Sequence, residues 1–178
     1  NGWNDQIFLF SKDSETPIWD YEAEDSLNSV SISSDGEYIV AGGEDQDVYL
    51  FGRDSSTPLW SYEVSDQIKS VDISADGEYI VAGSANKKVY LFDKDNSTPL
   101  WSYEAGQSIH RVTISADGEY IVAGSDDSKV YIFEKNSSTP LWSYDTGDQV
   151  SSVSISADGE YFVSGSNSEK IHFFDKDS

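Results

Sequence analysis

The chain has 178 residues with 33 Asp or Glu against 11 Lys or Arg, a formal net charge of −22. This charge repels phosphate backbones and anionic lipids, so the composition disfavours nucleic acid and anionic membranes as partners. Cysteine is absent, which excludes disulfides and thiolate chemistry. No apolar run approaches the ~18 residues of a membrane-spanning helix, so no membrane insertion is expected.

Two short β-rich runs open the chain, Ile7–Phe10 and Ile18–Tyr21, with Pro17 directly before the second. Proline removes a backbone donor and marks the entry to a strand at a turn. We therefore expect two antiparallel strands here. Trp3 stands where later parts of the chain carry Glu44, Ala85, Asp126 and Asn167. It is predicted to anchor a contact between chains or to cover this end of the fold.

A phrase of twelve residues then occurs four times with little change. It reads ISSDGEYIVAGG at 32–43, ISADGEYIVAGS at 73–84 and 114–125, and ISADGEYFVSGS at 155–166. Its Asp-Gly pair favours a tight turn with positive φ at glycine. Each phrase therefore predicts a hairpin of two strands.

The hairpins belong to a longer repeat with a period of 41 residues. A tryptophan marks this period at Trp19, Trp60, Trp101 and Trp142. The four strands of one unit, A to D, are predicted at Val112–Ser115, Tyr120–Gly124, Val130–Phe133 and Leu141–Tyr144. A period near 40 indicates a repeat architecture. Four short antiparallel strands per unit predict an all-β fold, a β-propeller of four-stranded antiparallel blades with about four blades per chain.

Apolar residues of strands A and D are expected to pack between neighbouring blades. Strand D alternates, with tryptophan and tyrosine on one face. Strand A carries an aliphatic pair on one face, at Val30 and Ile32, Val71 and Ile73, Val112 and Ile114, and Val153 and Ile155.

The ends of the chain are out of phase with the blades. We expect one propeller domain over 1–178, with strands C and D of a partial blade at 1–30 and strands A to C of another at 154–178. Complete blades are predicted at 31–71, 72–112 and 113–153. The chain begins with Asn1 rather than Met, which fits processing after export or a piece of a longer array.

Unpaired strand edges seek partners, so the partial blades predict assembly. Closure within one chain would make four blades, closure of two chains eight, and head-to-tail joining a filament. Membership of a longer propeller is the remaining alternative. The segments expected to mediate assembly contain Trp3, Ile7, Phe8, Leu9, Phe10, Ile171, His172, Phe173 and Phe174.

Two known families resemble these units. Val71–Asp93 resembles a WD-repeat blade, with Phe92-Asp93 in the place of the family's Trp-Asp and no Gly-His. Val89–Gly106 resembles the pyrroloquinoline-quinone-type propeller repeat, in which a strand-D tryptophan docks between blades. Both resemblances imply a β-propeller, and neither implies an enzyme by itself.

Residues that could carry catalysis are few. His110 is expected in a D–A connection, and His172 replaces a strand-C tyrosine. With no cysteine and no clustered histidine, a transition-metal site has no support. The repeated Asp-Gly-Glu lacks the alternating oxygen ligands of a calcium loop and is interpreted as a turn. We predict that the protein is not an enzyme and has no cofactor.

The repeats differ mainly on one rim of the predicted propeller. Strand directions alternate, so the B–C turns and D–A connections share a rim, and both vary while the A–B turn hardly changes. Relaxed drift in loops is one explanation. The other is a partner-binding rim, with candidates at Lys69, Asn86, Lys87, Lys88, Gln107, His110, Arg111, Asp126 and Asp127.

The sequence therefore predicts a non-catalytic protein-interaction scaffold that self-associates through its incomplete terminal blades. The alternative is a structural, exported or surface protein that assembles into rings or filaments by strand exchange at its ends. Its partners are expected to be proteins, including further copies of the chain. An exported or extracellular location is favoured over the cytoplasm, because Asn96 and Asn136 begin glycosylation triplets.

Overall fold

The structure is a computed structural model that describes residues 5–177. Over this range the chain forms strands without any α-helix. Among the described residues there is thus no helix with the length and apolar character needed to span a membrane. The strands are β1 (Gln6–Leu9), β2 (Trp19–Glu22), β3 (Leu27–Ile32), β4 (Tyr38–Gly43), β5 (Asp47–Gly52), β6 (Trp60–Glu63), β7 (Ile68–Ile73), β8 (Tyr79–Ser84), β9 (Lys88–Asp93), β10 (Asn96–Glu104), β11 (Ile109–Ile114), β12 (Tyr120–Ser125), β13 (Lys129–Glu134), β14 (Trp142–Asp145), β15 (Val150–Ile155), β16 (Tyr161–Ser166) and β17 (Lys170–Asp175).

These strands form antiparallel sheets that follow one another along the chain. We name them S1 (β1–β2), S2 (β3–β6), S3 (β7–β10), S4 (β11–β14) and S5 (β15–β17). S2, S3 and S4 are four-stranded meanders, S1 holds strands at positions C and D, and S5 holds strands at positions A to C. The prediction of an all-β fold of repeated four-stranded antiparallel blades is confirmed. Strand A begins at Leu27, Ile68, Ile109 and Val150, four residues before each blade start expected from the sequence.

The A–B turn is built in the same way in S2, S3, S4 and S5. In S2 the Asp35 carboxylate accepts hydrogen bonds from the Ser33 hydroxyl (2.6 Å) and the Glu37 amide (2.9 Å). Gly36 between them has φ +72°. The Ser33 hydroxyl and then the Glu37 amide hold the pKa of Asp35 below its ordinary value. The interpretation of Asp-Gly-Glu as a turn is confirmed.

The core lies between the sheets. We call the face of a sheet that packs on the next sheet along the chain its leading face, and the face that packs on the preceding sheet its trailing face. Between S2 and S3 the leading face carries Val40, Val48 and Leu50, which are fully buried. The trailing face of S3 carries Val71 and Phe92 in the same cluster. A single sheet cannot bury either face by itself, so each is stabilised by its neighbours.

A tryptophan of strand D forms a hydrogen bond across each of these junctions. The Trp60 indole N–H donates to the Lys94 carbonyl of S3 (2.8 Å), and its ring centroid lies 5.4 Å from that of Phe92. The other three junctions repeat the hydrogen bond at 2.7–2.8 Å, from Trp19 to Arg53, Trp101 to Lys135 and Trp142 to Lys176. The expectation that these tryptophans pack between blades is confirmed.

Strand A and the turn after it supply further links between sheets. Backbone amides of successive A–B turns donate to the next turn's carbonyl, from Ser34 to Ala75, Ala75 to Ala116 and Ala116 to Ala157. In S3 the Asp72 carboxylate accepts hydrogen bonds from the Ser31 hydroxyl of S2 and the Thr113 hydroxyl of S4, both at 2.9 Å. One carboxylate thus joins three consecutive sheets.

The expected packing of strand A is wrong for the first pair. Val71, Ile73, Val112 and Ile114 are buried. Val30 and Ile32, however, are 60% and 52% exposed. The reason is that, among residues 5–177, S1 has strands only at positions C and D, so no hairpin of strands A and B covers this part of S2.

Replacing Gly77 with alanine should destabilise the fold more than the same change at Gly147. Both glycines have positive φ, +74° and +85°, so alanine costs about 1 kcal/mol of backbone strain at either site. At Gly77 the new Cβ would also lie 2.5 Å from Tyr38 Cδ2, whereas nothing lies within 4 Å at Gly147. Urea unfolding should therefore show a loss of about 2–4 kcal/mol for G77A and about 1 kcal/mol for G147A. Equal losses would contradict the close contact with Tyr38.

Candidate interaction surface

The B–C turns and D–A connections are joined to each other at one rim, which we call the B–C rim. In S2, S3, S4 and S5, each B–C turn holds one residue other than glycine at positive φ, namely Gln46 (72°), Lys87 (74°), Ser128 (72°) and Glu169 (62°). In S3 the Lys87 carbonyl accepts a hydrogen bond from the Ala105 amide of the D–A connection (2.9 Å). The side chain at this position therefore extends from a backbone that is fixed on both sides.

A polar side chain in the B–C turn adds further hydrogen bonds around this turn. Asp127 Oδ2 accepts hydrogen bonds from the Tyr131 hydroxyl (2.6 Å) and the Gly106 amide (2.8 Å). In S2 the Asp45 carboxylate accepts from Tyr49 (2.8 Å), and in S3 the Asn86 amide donates to the Tyr90 hydroxyl (2.8 Å). In S5 histidine replaces the tyrosine, and the buried His172 Nδ1 has no partner among the described residues.

His110 and Arg111 lie in strand β11 rather than in the D–A connection where they were expected. The strand begins at the fully buried Ile109, which pairs with Ser125. A bulge between Ile109 and Arg111 shifts the register, so both His110 and Arg111 face solvent. The sequence interpretation started this strand at the first aliphatic pair and overlooked Ile109.

The other predicted rim residues lie at the same rim. Lys69 is in β7, Lys88 begins β9, and Gln107 lies in the connection before β11. His110 Nδ1 is 3.9 Å from the Asp126 carboxylate of the next turn. S3 supplies Lys69, Asn86, Lys87 and Lys88, and S4 supplies Gln107, His110, Arg111, Asp126 and Asp127.

The lysines and arginines divide by rim. On the opposite rim, formed by the A–B and C–D turns, Arg53 pairs with Glu37 (2.7 Å) and Lys94 with Glu78 (3.5 Å). Lys12, Lys135 and Lys176 are also ion-paired there. On the B–C rim, no lysine or arginine nitrogen has a carboxylate oxygen within 4.0 Å among residues 5–177. The lysines and arginines of this rim are Lys69, Lys87, Lys88, Arg111, Lys129 and Lys170.

Carboxylates of S2 occupy the neighbouring part of the B–C rim. Burial, opposed by a hydrogen bond from Tyr49, raises the pKa of Asp45. Burial and then the nearby Asp45 and Glu63 raise the pKa of Asp47. The rim is therefore acidic at S2 and carries unpaired cations at S3 and S4. Lys129 and Lys170, which the sequence interpretation missed, stand like Lys88 at the first position of strand C.

The rim and the rest of the described chain offer little for metal chemistry. No group of three or more His, Cys, Asp or Glu residues is arranged to hold a metal ion within residues 5–177. The carboxylates at the rim are bound to hydroxyls and amides, as at Asp127. What this surface can do is present charged groups from fixed turns.

The predicted assembly segments have one packed and one open face. Ile7 is buried and Leu9 half-buried against S2, while Phe8 and Phe10 are exposed. In S5, Phe174 is buried against S4 and His172 stacks beside it, while Ile171 and Phe173 are 83% and 69% exposed. Ile7 and Phe174 are thus already packed within the chain. Trp3 lies outside the described residues.

Replacing Asp45 with asparagine should stabilise the protein at neutral pH and have little effect in acid. A carboxyl whose pKa is raised by folding favours the folded state below its unfolded pKa, and that contribution is lost as pH rises through the folded pKa. Asparagine keeps the contribution because it cannot ionise, and Asn86 shows that it fits this turn. The gain in urea midpoint should shrink as pH falls from about 7 to below the ordinary value of 3.8.

The control is Asp54→Asn, the same change at an exposed carboxylate on the opposite rim. It should change the urea midpoint little at neutral pH, because an ion pair at the surface contributes about 0–1 kcal/mol. A midpoint for D45N that is equally raised in acid would contradict the effect of burial on Asp45.

Comparison with known proteins identifies the family. The model of the PQQ-like repeat family described as "Outer membrane protein assembly factor BamB" matches residues 4–157. None of the curated proteins matches the chain. The match spans S1 to S4, including the tryptophan of each strand D. The chain therefore belongs to the PQQ-like repeat family described as outer membrane protein assembly factor BamB.

Proposed function

We propose that this protein is a non-catalytic interaction scaffold that binds a partner protein at the B–C rim of S3 and S4. The observation that carries the proposal is the division of cations, which are ion-paired on one rim and unpaired on the other. Unpaired cations on a chain of net charge −22 are available to carboxylates of another molecule. The β-propeller fold of the matched family is one that proteins use to bind other proteins, which also supports the proposal.

The partner surface should carry acidic side chains opposite Lys87, Lys88 and Arg111. The net charge of the whole chain would repel an acidic partner at long range, but salt screens exposed charges beyond about 8–10 Å. Short-range pairing at the rim then determines which partner binds. The acidic part of the rim at Asp45 and Asp47 opposes an acidic partner and so sets its orientation.

The family description supports the non-catalytic part of the proposal, because it names an assembly factor rather than an enzyme.

The family description also names the outer membrane, which supports an exported location for this chain. Fractionation of the source cells tests the location. Recovery of the protein in the cytoplasmic fraction alone would overturn it.

Self-association through the terminal sheets is a second proposed property. It is supported by the open faces at Phe8 and Phe10 in S1 and at Ile171 and Phe173 in S5. Light scattering over a range of concentrations tests it. A mass that stays at 19.7 kDa would overturn it, and a multiple of that mass would support it.

Charge reversal on the two rims should separate the partner surface from general electrostatics. The test variant is K87E/K88E/R111E, and the matched control R53E/K94E/K135E makes the same change of net charge on the opposite rim. Each is immobilised beside the unaltered protein, and an extract of the source organism is passed over all three. We expect proteins whose capture falls at least tenfold, about 1.4 kcal/mol, on the test variant alone.

Equal capture by all three proteins would overturn the assignment of the rim. A loss on both variants alike would show that only the total charge matters. Circular dichroism checks that both variants remain folded.

A further inference from the structure

The leading face of S5 is open although the same face is buried in every other sheet. Ile171 and Phe173 of β17 correspond to Val130 and Ile132 of β13, which are fully buried against S5. Tyr161, also exposed, lines a shallow groove on this face together with Phe173. The outer edge of β17 has no neighbouring strand among the described residues.

The trailing face of S2 is open in a complementary way. Val30 and Ile32 are exposed there, whereas their counterparts in S3 are covered by S2. Gly36 is open too, with the nearest atom to an added Cβ at 4.0 Å. At Gly77, Gly118 and Gly159 this space is filled by a tyrosine of the preceding sheet. Among residues 5–177, the equivalent Tyr161 does not lie against the glycine of an A–B turn.

We infer that strand β2 of one copy leaves β1 and adds to the free edge of β17 in a second copy, so that two chains close into one ring. This rests on the self-association proposed above. S5 then becomes a complete blade of β15, β16, β17 and the second copy's β2. Its leading face covers Val30 and Ile32, and Tyr161 lies over Gly36 of that copy. Each chain contributes four blades to a ring of eight, within the usual range for propellers.

The exchange keeps the junction that β2 already makes. Trp19 remains hydrogen-bonded to Arg53 and packed on Phe51 of its own chain. Only the strand at position C beside β2 changes, from β1 to β17. Within one chain of the structure, β2 pairs with β1 and not with β17; a second copy of the chain is the occupant we propose for the edge of β17.

The register of the exchanged pair follows from S4. There Lys129, Tyr131 and Ile132 lie opposite Asp145, Ser143 and Trp142. By the 41-residue repeat, Lys170 lies opposite Glu22, His172 opposite Asp20 and Phe173 opposite Trp19.

Charge favours the exchanged partner over the original one. In S1, β1 presents Gln6 to Glu22 and Phe8 to Asp20. In the exchanged pair β17 presents Lys170 and His172 to the same two carboxylates. The opposite charges of Lys170 and Glu22, directly across an antiparallel pair, are stabilising, and Lys170 has no ion pair within residues 5–177.

Engineered disulfides distinguish the two pairings, since the chain has no cysteine of its own. The Ala23 amide donates to the Asp5 carbonyl (2.7 Å), so Phe8 and Asp20 form a non-hydrogen-bonded pair with Cα atoms about 4.5 Å apart. That spacing suits a disulfide. D20C/H172C should give a covalent species of two chains on a non-reducing gel. F8C/D20C should give an oxidised single chain that no longer associates.

Three outcomes would overturn the exchange. If D20C/H172C stays reduced while F8C/D20C forms its disulfide, then β2 remains paired with β1. A disulfide within one D20C/H172C chain means closure inside the monomer. A locked F8C/D20C chain that still reaches twice the monomer mass means self-association by another surface, which leaves the proposed self-association intact.

Ile171→Asp tests the covered face independently. Ile171 is 83% exposed in the single chain, so the change should leave urea unfolding of the monomer unaltered. We expect it to weaken association at least tenfold. Unchanged association would overturn the proposal, because Ile171 would be buried beside Tyr21 in the closed ring.

Discussion

The hydrogen bond from a strand-D indole to a carbonyl of the next sheet is the contact on which the rest of this fold depends. It recurs at all four junctions with the same separation of 34 residues. It draws the C–D turn of the next sheet against the tryptophan and so aligns the aliphatic faces between them. The order of the sheets, the two rims and the open faces at the ends follow from this repeated joint.

The rims behave differently because only one is used to hold neighbouring turns together by charge. On the opposite rim, formed by the A–B and C–D turns, a glutamate just after the Asp-Gly pair forms an ion pair with the cation of the C–D turn in the same sheet, as Glu37 does with Arg53. On the B–C rim, hydroxyl, amide and carboxylate groups link the turns instead, as Asp127 does with Tyr131 and Gly106. Among residues 5–177 the lysines and arginines of this rim have no carboxylate partner, although Lys69 donates a hydrogen bond to the Gln67 side chain, and the turns vary without loss of the fold.

The repeat and its strand types could be predicted from the sequence because the Asp-Gly turns and the tryptophan period are local signals. The exposure of Val30 and Ile32 could not, since it depends on which strands precede S2 in space. The bulge at His110 and Arg111 depends on the pairing of Ile109 with Ser125, which no local pattern reveals. The ion pairs were also beyond sequence reasoning, because residues such as Glu119 and Lys135 stand 16 positions apart and meet only across a folded sheet.

Asp72 has a consequence for how the chain reaches this fold. The hairpin at 73–84 is identical to that at 114–125, so a folding chain cannot tell these two blades apart from the hairpins themselves. A blade docked one place too early or too late would bury much the same apolar surface, and such errors trap repeat proteins. Strand A carries Ser31, Asp72, Thr113 and Ser154 at equivalent positions, and Asp72 needs a hydroxyl on each side. If the S3 blade docked directly after S1, which has no strand A among residues 5–177, the Asp72 carboxylate would lose one of its two hydroxyl donors, so Asp72 opposes that misplacement during folding.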